Sequence, residues 1–175
     1  MIRVFKICLC ALIATSSLDL HAQILRDDAL KASYLVNFLE FVDWDQVQGK
    51  GHSIGVLNSE GVASKIRAIS LARKDDLKNR QISVEHFDNA AEISEVDLLF
   101  VARGNQMQWA ELVELSERQS FILIGEEDGF LETGGVIQFV TVSNRIRFKI
   151  NSKQAKKIGV SMSSKLLNLA VEVRR

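Results

Sequence analysis

The sequence predicts an α/β fold, a single-domain, Rossmann-like open sheet of mostly parallel strands flanked by helices, with a C-terminal antiparallel hairpin. Three observations carry that expectation. Four short apolar segments alternate with helical ones between residues 52 and 126, and strand–helix–strand units of this kind cross over right-handedly into parallel sheets. Two of the segments, "VDLLFVA" and "SFILIGE", are continuous apolar runs, the pattern of strands covered on both faces. Beyond Gly135 the pattern changes to two alternating runs, "VIQFVTV" and "RIRFKI", joined by Ser143 and Asn144, which is a compact hairpin signal.

The elements follow in order. "RDDALKASYLVNFLEFVDW" (26–44) repeats apolar residues at three to four positions through Leu30, Tyr34, Phe38 and Phe41, with Leu35 and Val42 widening the stripe. That spacing predicts a helix, and Asp27 and Asp28 suit its positive N-terminal end. "HSIGVLN" (52–58) reads as a strand and "SEGVASKIRAISLARKD" (59–75) as a helix capped by Ser59. "QISVEHF" (81–87) alternates as a strand does. Strand "VDLLFVA" (96–102) precedes an amphipathic helix, "NQMQWAELVELSERQ" (105–119), with Trp109, Leu112, Val113 and Leu115 to one side. After strand "SFILIGE" and the hairpin, "NSKQAKKIG" (151–159) carries a cap at each end, Asn151 and Gly159. A last helix is expected over "SSKLLNLAVEV" (163–173), capped by Ser163 or Ser164.

The first 22 residues stand apart. Arg3 and Lys6 precede "ICLCALIATSSL", an apolar run too short to span a bilayer, and Ala22 offers a small residue for cleavage. This order predicts a secretory signal peptide over 1–22 and a single α/β domain over 23–175. Both cysteines, Cys8 and Cys10, fall in the leader. The exported chain would therefore lack a thiol nucleophile, a zinc–thiolate site and a disulfide. The 20 basic and 21 acidic side chains of 23–175 nearly balance, unlike a general nucleic-acid binder. No second apolar run approaches the length of a membrane span.

The sequence holds fragments of several catalytic patterns and completes none of them. "DGFLETGG" (128–135) places Gly129 and Gly134 at P-loop spacing, but Gly135 and Val136 stand where the lysine and the hydroxyl belong. The segment also opens a strand, whereas a phosphate cradle opens a helix. The glycines are read as turn residues. His52 and His86 have no metal-ligand spacing. Met162 sits three before Lys165, where a Ser-x-x-Lys nucleophile needs serine. No catalytic residue, cofactor or metal ligand is expected. One stripe stands out. Arg145, Arg147 and Lys149 alternate with Ile146, Phe148 and Ile150, so three cations share one face of the hairpin. Such a stripe either guards an edge against aggregation or meets an acidic partner or anion.

Two stretches carry a family resemblance. "KASYLVNFLEFVDW" (31–44) resembles the opening helix of the YfiR family through Lys31, Ala32, Tyr34, Asn37, Phe38, Phe41, Val42 and Trp44. The C-terminal third, "GFLETGGVIQFVTVSNRIRFKINSKQAKKIGVSMSSKLLNLAVEV", is similar in its Gly-Gly, Arg-Phe-x-Ile-Asn and Ser-Ser-Lys-Leu-Leu. Asp45 stands where the family often has proline, and the cysteine pairs of some members are absent after residue 22.

The resemblance implies a periplasmic, non-catalytic repressor. Such a protein holds the periplasmic sensor domain of an inner-membrane diguanylate cyclase inactive until an OmpA-like outer-membrane protein draws it away. Cyclic di-GMP signalling and biofilm formation lie downstream. A repressor of this kind acts by differential affinity for two sensor conformations. The expected docking residues are Tyr34, Phe38 and Phe41 on the first helix, with Arg145, Arg147 and Lys149 as a rim. The same aromatic side chains serve equally as core, and a homodimer would draw on the same surfaces. The alternative is a periplasmic small-molecule sensor, with a site at the strand carboxyl ends near Asn58, Ser59, Arg103, Gly104 and Glu126.

Overall fold

The computed structural model describes residues 22–43, 53–73 and 82–175. Residues 1–21 of the expected leader, Trp44 and His52 lie outside them.

The described residues open with helix α1, running through 22–40, followed by β1 (Val42–Asp43). Next come β2 (Ser53–Leu57), α2 (Glu60–Ala72), β3 (Ser83–Phe87), β4 (Leu98–Val101) and α3 (Trp109–Gln119). The C-terminal part holds β5 (Ile122–Gly125), β6 (Ile137–Val142), β7 (Arg145–Asn151), α4 (Ser152–Lys157), β8 (Ser161–Met162), α5 (Ser164–Leu169) and β9 (Glu172–Arg174). Seven strands form one sheet in the order β3-β2-β4-β5-β6-β7-β9. β3, β2, β4, β5 and β6 are mutually parallel, β6–β7 is the antiparallel hairpin, and β9 pairs parallel to β7.

Local chemistry accounts for the ends of the elements. The Ser59 side chain accepts the Val62 amide at the start of α2, Asn151 accepts Gln154 at α4, and Ser163 accepts Leu166 at α5. Each satisfies an orphan donor of a first helical turn. Ser143 and Asn144 both adopt positive φ at the hairpin tip, matching the twist of the strands they join.

Two cores lie on the two faces of the sheet. On one face α1 and α2 cover Ile54, Val56, Leu98, Phe100, Ile124, Phe139, Phe148 and Ile150. On the other, α3 packs Trp109, Leu112 and Val113 against Leu99, Val101 and Leu123. The continuous apolar runs are therefore sandwiched, and β4 and β5 are buried throughout.

Two expected boundaries need correction. The last helix stops at Leu169, and Glu172–Arg174 form an edge strand paired with Lys149–Asn151. The alternation of "VEVR" is short, and pairing to an open strand outweighs one more helical turn. Likewise α1 ends at residue 40, and Val42–Asp43 pair antiparallel with Ser161–Met162. This small sheet ties the end of α1 to the C-terminal segment, a long-range pairing that periodicity cannot reveal.

Candidate functional site

The aromatic face of α1 builds the core. Tyr34 and Phe38 join Phe139 and Phe148, with ring centroids 5.0 to 6.0 Å apart, at separations where aromatic pairs attract. Phe38 is 1% exposed, so a partner reaches it only by opening the core. Tyr34 and Phe41 are half-buried, and the Tyr34 hydroxyl donates to the Ile146 carbonyl at 3.4 Å.

The cationic stripe has a different setting. Ile146, Phe148 and Ile150 face the core, while Arg145 and Arg147 point outward and are exposed. Lys149, half-buried, pairs with Glu172 at 2.7 Å. Among the described residues no ion pair engages Arg145 or Arg147, and the Arg147 guanidinium donates only to the Leu169 carbonyl at 3.4 Å. Val142 stands opposite Arg145 in the hairpin register, and Val142, Leu169 and Val171 are each 42–53% exposed. This is an apolar and cationic surface on the sheet face that α3 leaves open.

The carboxyl edge of the parallel strands forms a second feature, a groove of about 740 Å³. α1 contributes Asp27, Asp28 and Lys31. The loops after β4 and β5 contribute Arg103 and Glu126–Asp128, and β6 supplies Phe139–Thr141. Lys31 Nζ meets Glu126 Oε2 at 2.5 Å, with side chains 14% and 8% exposed, and forms the floor. Lys31 Nζ also lies 6.0 Å from the centre of the Phe100 ring. Arg103 donates its amide to Glu126 Oε1 at 3.3 Å, and Gly104 donates to Glu127 Oε1 at 2.5 Å. Glu127 Oε2 is enclosed with no hydrogen-bond partner among the described residues. Burial raises the Asp28 carboxyl above its ordinary range, opposed by Lys31 and reinforced by Glu126 and Asp27.

Three of the five residues expected at strand ends gather here. Arg103 and Glu126 line the groove, and Gly104 binds Glu127 behind it. Asn58 and Ser59 are engaged elsewhere. Asn58 donates to the buried Asn105 at 2.6 Å, and Ser59 caps α2. The contribution of α1 was not legible, because a helix stripe gives no sign of which strand ends it will reach. Asp27 and Asp28 carry a signal, but an acidic pair there equally complements the helix dipole.

The glycine loop is a plug. Gly129 and Gly134 adopt positive φ, and the Thr133, Gly134 and Gly135 amides donate to carbonyls of the same loop. Those three donors are therefore not offered to an anion. The turn inserts Phe130 and Leu131 into the protein, 0% and 2% exposed. Phe130 stacks edge-on against Trp109 at 5.4 Å. A Cβ at Gly135 would lie 2.2 Å from the Phe130 ring, and one at Gly125 would lie 2.6 Å from it. These two glycines make room for an aromatic side chain.

His86 lies 3.7 Å from Glu60 and 3.8 Å from Asp88. Among the described residues, no three His, Cys, Asp or Glu side chains gather closely enough to hold a metal ion. No helix among them is long and apolar enough to cross a membrane.

The chain forms an open α/β sheet with a cationic face on its hairpin and a polar groove at its strand ends. Its family is defined by sequence: residues 28–171 match the YfiR/HmsC-like model, and the chain belongs to that family. The family is regulatory and non-catalytic and its members are periplasmic; membership is consistent with periplasmic regulation of cyclic di-GMP signalling. The comparison with curated proteins gives no match. Among solved structures, the ABC domain in complex with L-Trp from Streptococcus pneumonia is similar, at 16% identity and TM-score 0.54. That likeness covers 81% of this chain and 60% of that one. A conserved domain protein from Vibrio cholerae matches at 11% identity and TM-score 0.52, covering 75% and 57%. This chain thus spans less than two thirds of either protein, and at these identities the likeness shows the fold alone.

Proposed function

We propose that residues 23–175, exported by the leader 1–22, form a periplasmic protein that docks on the sensor domain of an inner-membrane diguanylate cyclase and represses it. An OmpA-like outer-membrane protein is the proposed antagonist, and a homodimer the proposed active form. The reading is non-catalytic. The observation that carries it is the family match over 28–171. The surface proposed for docking is the exposed pair Arg145 and Arg147 together with Val142, Leu169 and Val171. Lys149 belongs to the rim but is already neutralised by Glu172. Tyr34 supports this surface from behind the sheet through Ile146 and Phe148, and Phe38 and Phe41 contribute through the core. Exposed apolar side chains beside an arginine pair fit an interface with an acidic partner.

The test is capture from solubilised membranes with the tagged, exported chain. A cyclase-type membrane protein should be retained, and its cyclic di-GMP output should fall when the chain is added. Recovery of nothing but copies of the chain itself would overturn the reading.

The groove favours a second reading, a small-molecule sensor. Its place outside the carboxyl ends of parallel strands is where open α/β sheets hold ligands.

A further inference from the structure

We propose that the sheet edge formed by β9, with α4 and α5 beside it, docks on an anionic phospholipid bilayer. The inference goes beyond docking by the hairpin face and is independent of it. It starts from the segregation of charge along the chain. Residues 23–132 carry 11 basic and 20 acidic side chains, whereas residues 133–175 carry 9 basic ones and a single acidic one, Glu172. The fold keeps the two kinds apart. The acid-poor segment supplies β6, β7 and β9, which the strand order puts at one end of the seven-stranded sheet, together with α4 and α5. A chain that is nearly neutral as a whole is thus dipolar, and such asymmetry orients a protein on a charged surface.

At the basic end the nearby acids are already engaged. Glu172 pairs with Lys149 and Arg174, Glu132 with Arg174, and Glu117 with Lys157. Lys153, Lys156 and Lys165 are exposed, and among the described residues no ion pair engages them. Lys153 and Lys156 stand three apart on one side of α4, whose other side buries Gln154 and Ala155. The two lysines border a cleft of about 290 Å³ with an apolar lining of Ala155, Val160, Met162 and Leu167 and no acidic side chain. Toward the hairpin, Lys165 lies one helical turn before Leu169, whose carbonyl receives the Arg147 guanidinium. Leu169 and Val171, between these cations, are 53% and 42% exposed.

The chemistry of this edge selects its partner. Protein interfaces are anchored by aromatic side chains and arginine and are poor in lysine. Here lysine supplies the free charge on α4 and α5, and no exposed aromatic side chain accompanies it among the described residues. Lysine is a compact charge on a flexible stem. It suits phosphates that move in the plane of a bilayer and needs no fixed partner geometry. Its methylenes, with Leu167, Leu169 and Val171, can rest at the level of the headgroups. The cations are spread along an edge rather than converging on a point, so a soluble phosphate would meet one or two of them, whereas a surface meets them together. Each lysine or arginine near an anionic surface strengthens attachment about fivefold. Attachment confines the chain to the surface from which a membrane sensor projects, which raises its effective concentration there.

The test is cosedimentation of residues 23–175 with phosphatidylcholine vesicles, with and without one third phosphatidylglycerol, at 0.15 M salt. Sedimentation with the anionic vesicles alone is expected, and 1 M salt should weaken it at least tenfold. Lys153→Glu combined with Lys156→Glu should also weaken it at least tenfold. The double variant should keep the parent far-UV circular dichroism, because both side chains are exposed. Equal sedimentation with neutral vesicles, none with the anionic ones, or an unchanged double variant would each overturn the proposal. So would release from the anionic vesicles by glycerol 3-phosphate at equal ionic strength, which would assign the cleft to a small soluble phosphate. Retention on immobilised polyglutamate without vesicle binding would assign the edge to an acidic protein instead. Capture from solubilised membranes involves no bilayer, so the double variant should still retain the membrane partner, and docking by the hairpin face stands or falls separately.

Discussion

The sheet has two halves that bury their side chains differently. In β2, β4 and β5 both faces are covered, α1 and α2 packing on one and α3 on the other. In the β6–β7 hairpin one face carries Phe139, Ile146, Phe148 and Ile150 into the core, while the other shows Val142, Arg145 and Arg147 to solvent. The doubly covered half has no side chain to spare for a partner. The singly covered half spends one residue in two on the core and leaves the other at the surface. A regulator that works by contact is expected to use the second kind of surface.

The largest effect should come from the covered half, where the glycine loop plugs the α3 side. Phe130→Ala removes a ring that is 0% exposed and should cost about 3–5 kcal/mol. Gly135→Ala adds a methyl group 2.2 Å from that ring and should cost about 3 kcal/mol through overpacking. Denaturant unfolding followed at Trp109 would read both, because Trp109 lies edge-on to Phe130. A stability change under 1 kcal/mol for Gly135→Ala would show that Phe130 can leave its seat at little cost. The plug reading would then fail.

A smaller effect on stability, but a large one on binding, is expected in the singly covered half. Arg145→Glu combined with Arg147→Glu should abolish capture of the membrane partner. Stability should change by no more than about 0.5 kcal/mol, since neither side chain is in an ion pair among the described residues. Loss of capture together with a lowered melting temperature would mean that the stripe serves the fold. Unchanged capture would move the interface away from the hairpin. Phe38→Ala reverses the expectation. It should destabilise by about 3–5 kcal/mol, and where the chain still folds, capture should persist.

The two halves also differ in how far sequence reaches. The strands of the covered half, the hairpin and its Ser143–Asn144 turn, and the Ser59, Asn151 and Ser163 caps follow from local patterns, because each is decided within a few residues of the chain. β9 and the β1–β8 pair do not, since their partners lie more than twenty residues away and their own patterns are two or three residues long. The cationic stripe was legible because alternation places Arg145 and Arg147 on one face whatever they meet. The groove was only half legible. Strand-end residues Arg103 and Glu126 could be anticipated from the α/β rule, but Asp27, Asp28 and Lys31 arrive from a helix whose docking angle is set by the aromatic cluster around Phe38. The role of the aromatic face of α1 was open in the sequence, since a broad apolar stripe looks alike whether it meets a core or a partner.

The smallest effect lies along the edge where the two sheet faces meet solvent. Hydrogen bonds from Lys149 and Arg174 lower the Glu172 carboxyl from an ordinary 4.5 to about 2. Arg174 also holds Glu132 below its ordinary range, and it binds Glu132 at 2.6 Å. A folded-state value below the unfolded one means that the native state favours the ionised form. The stabilisation is then fully present above pH 4.5 and is lost as pH falls toward 2. All of these groups are at the surface, so the contribution is small and salt-sensitive. Glu172→Gln should flatten the acid limb of a melting-temperature profile between pH 4.5 and 2 at low salt, and 1 M salt should erase most of the difference. Docking through Arg145 and Arg147 should be indifferent to Glu172→Gln at neutral pH, whereas Lys149, freed of its partner, would add a third cation to the stripe. A gain in capture by Glu172→Gln would therefore place Lys149 inside the contact surface, and no change would confine that surface to the hairpin tip.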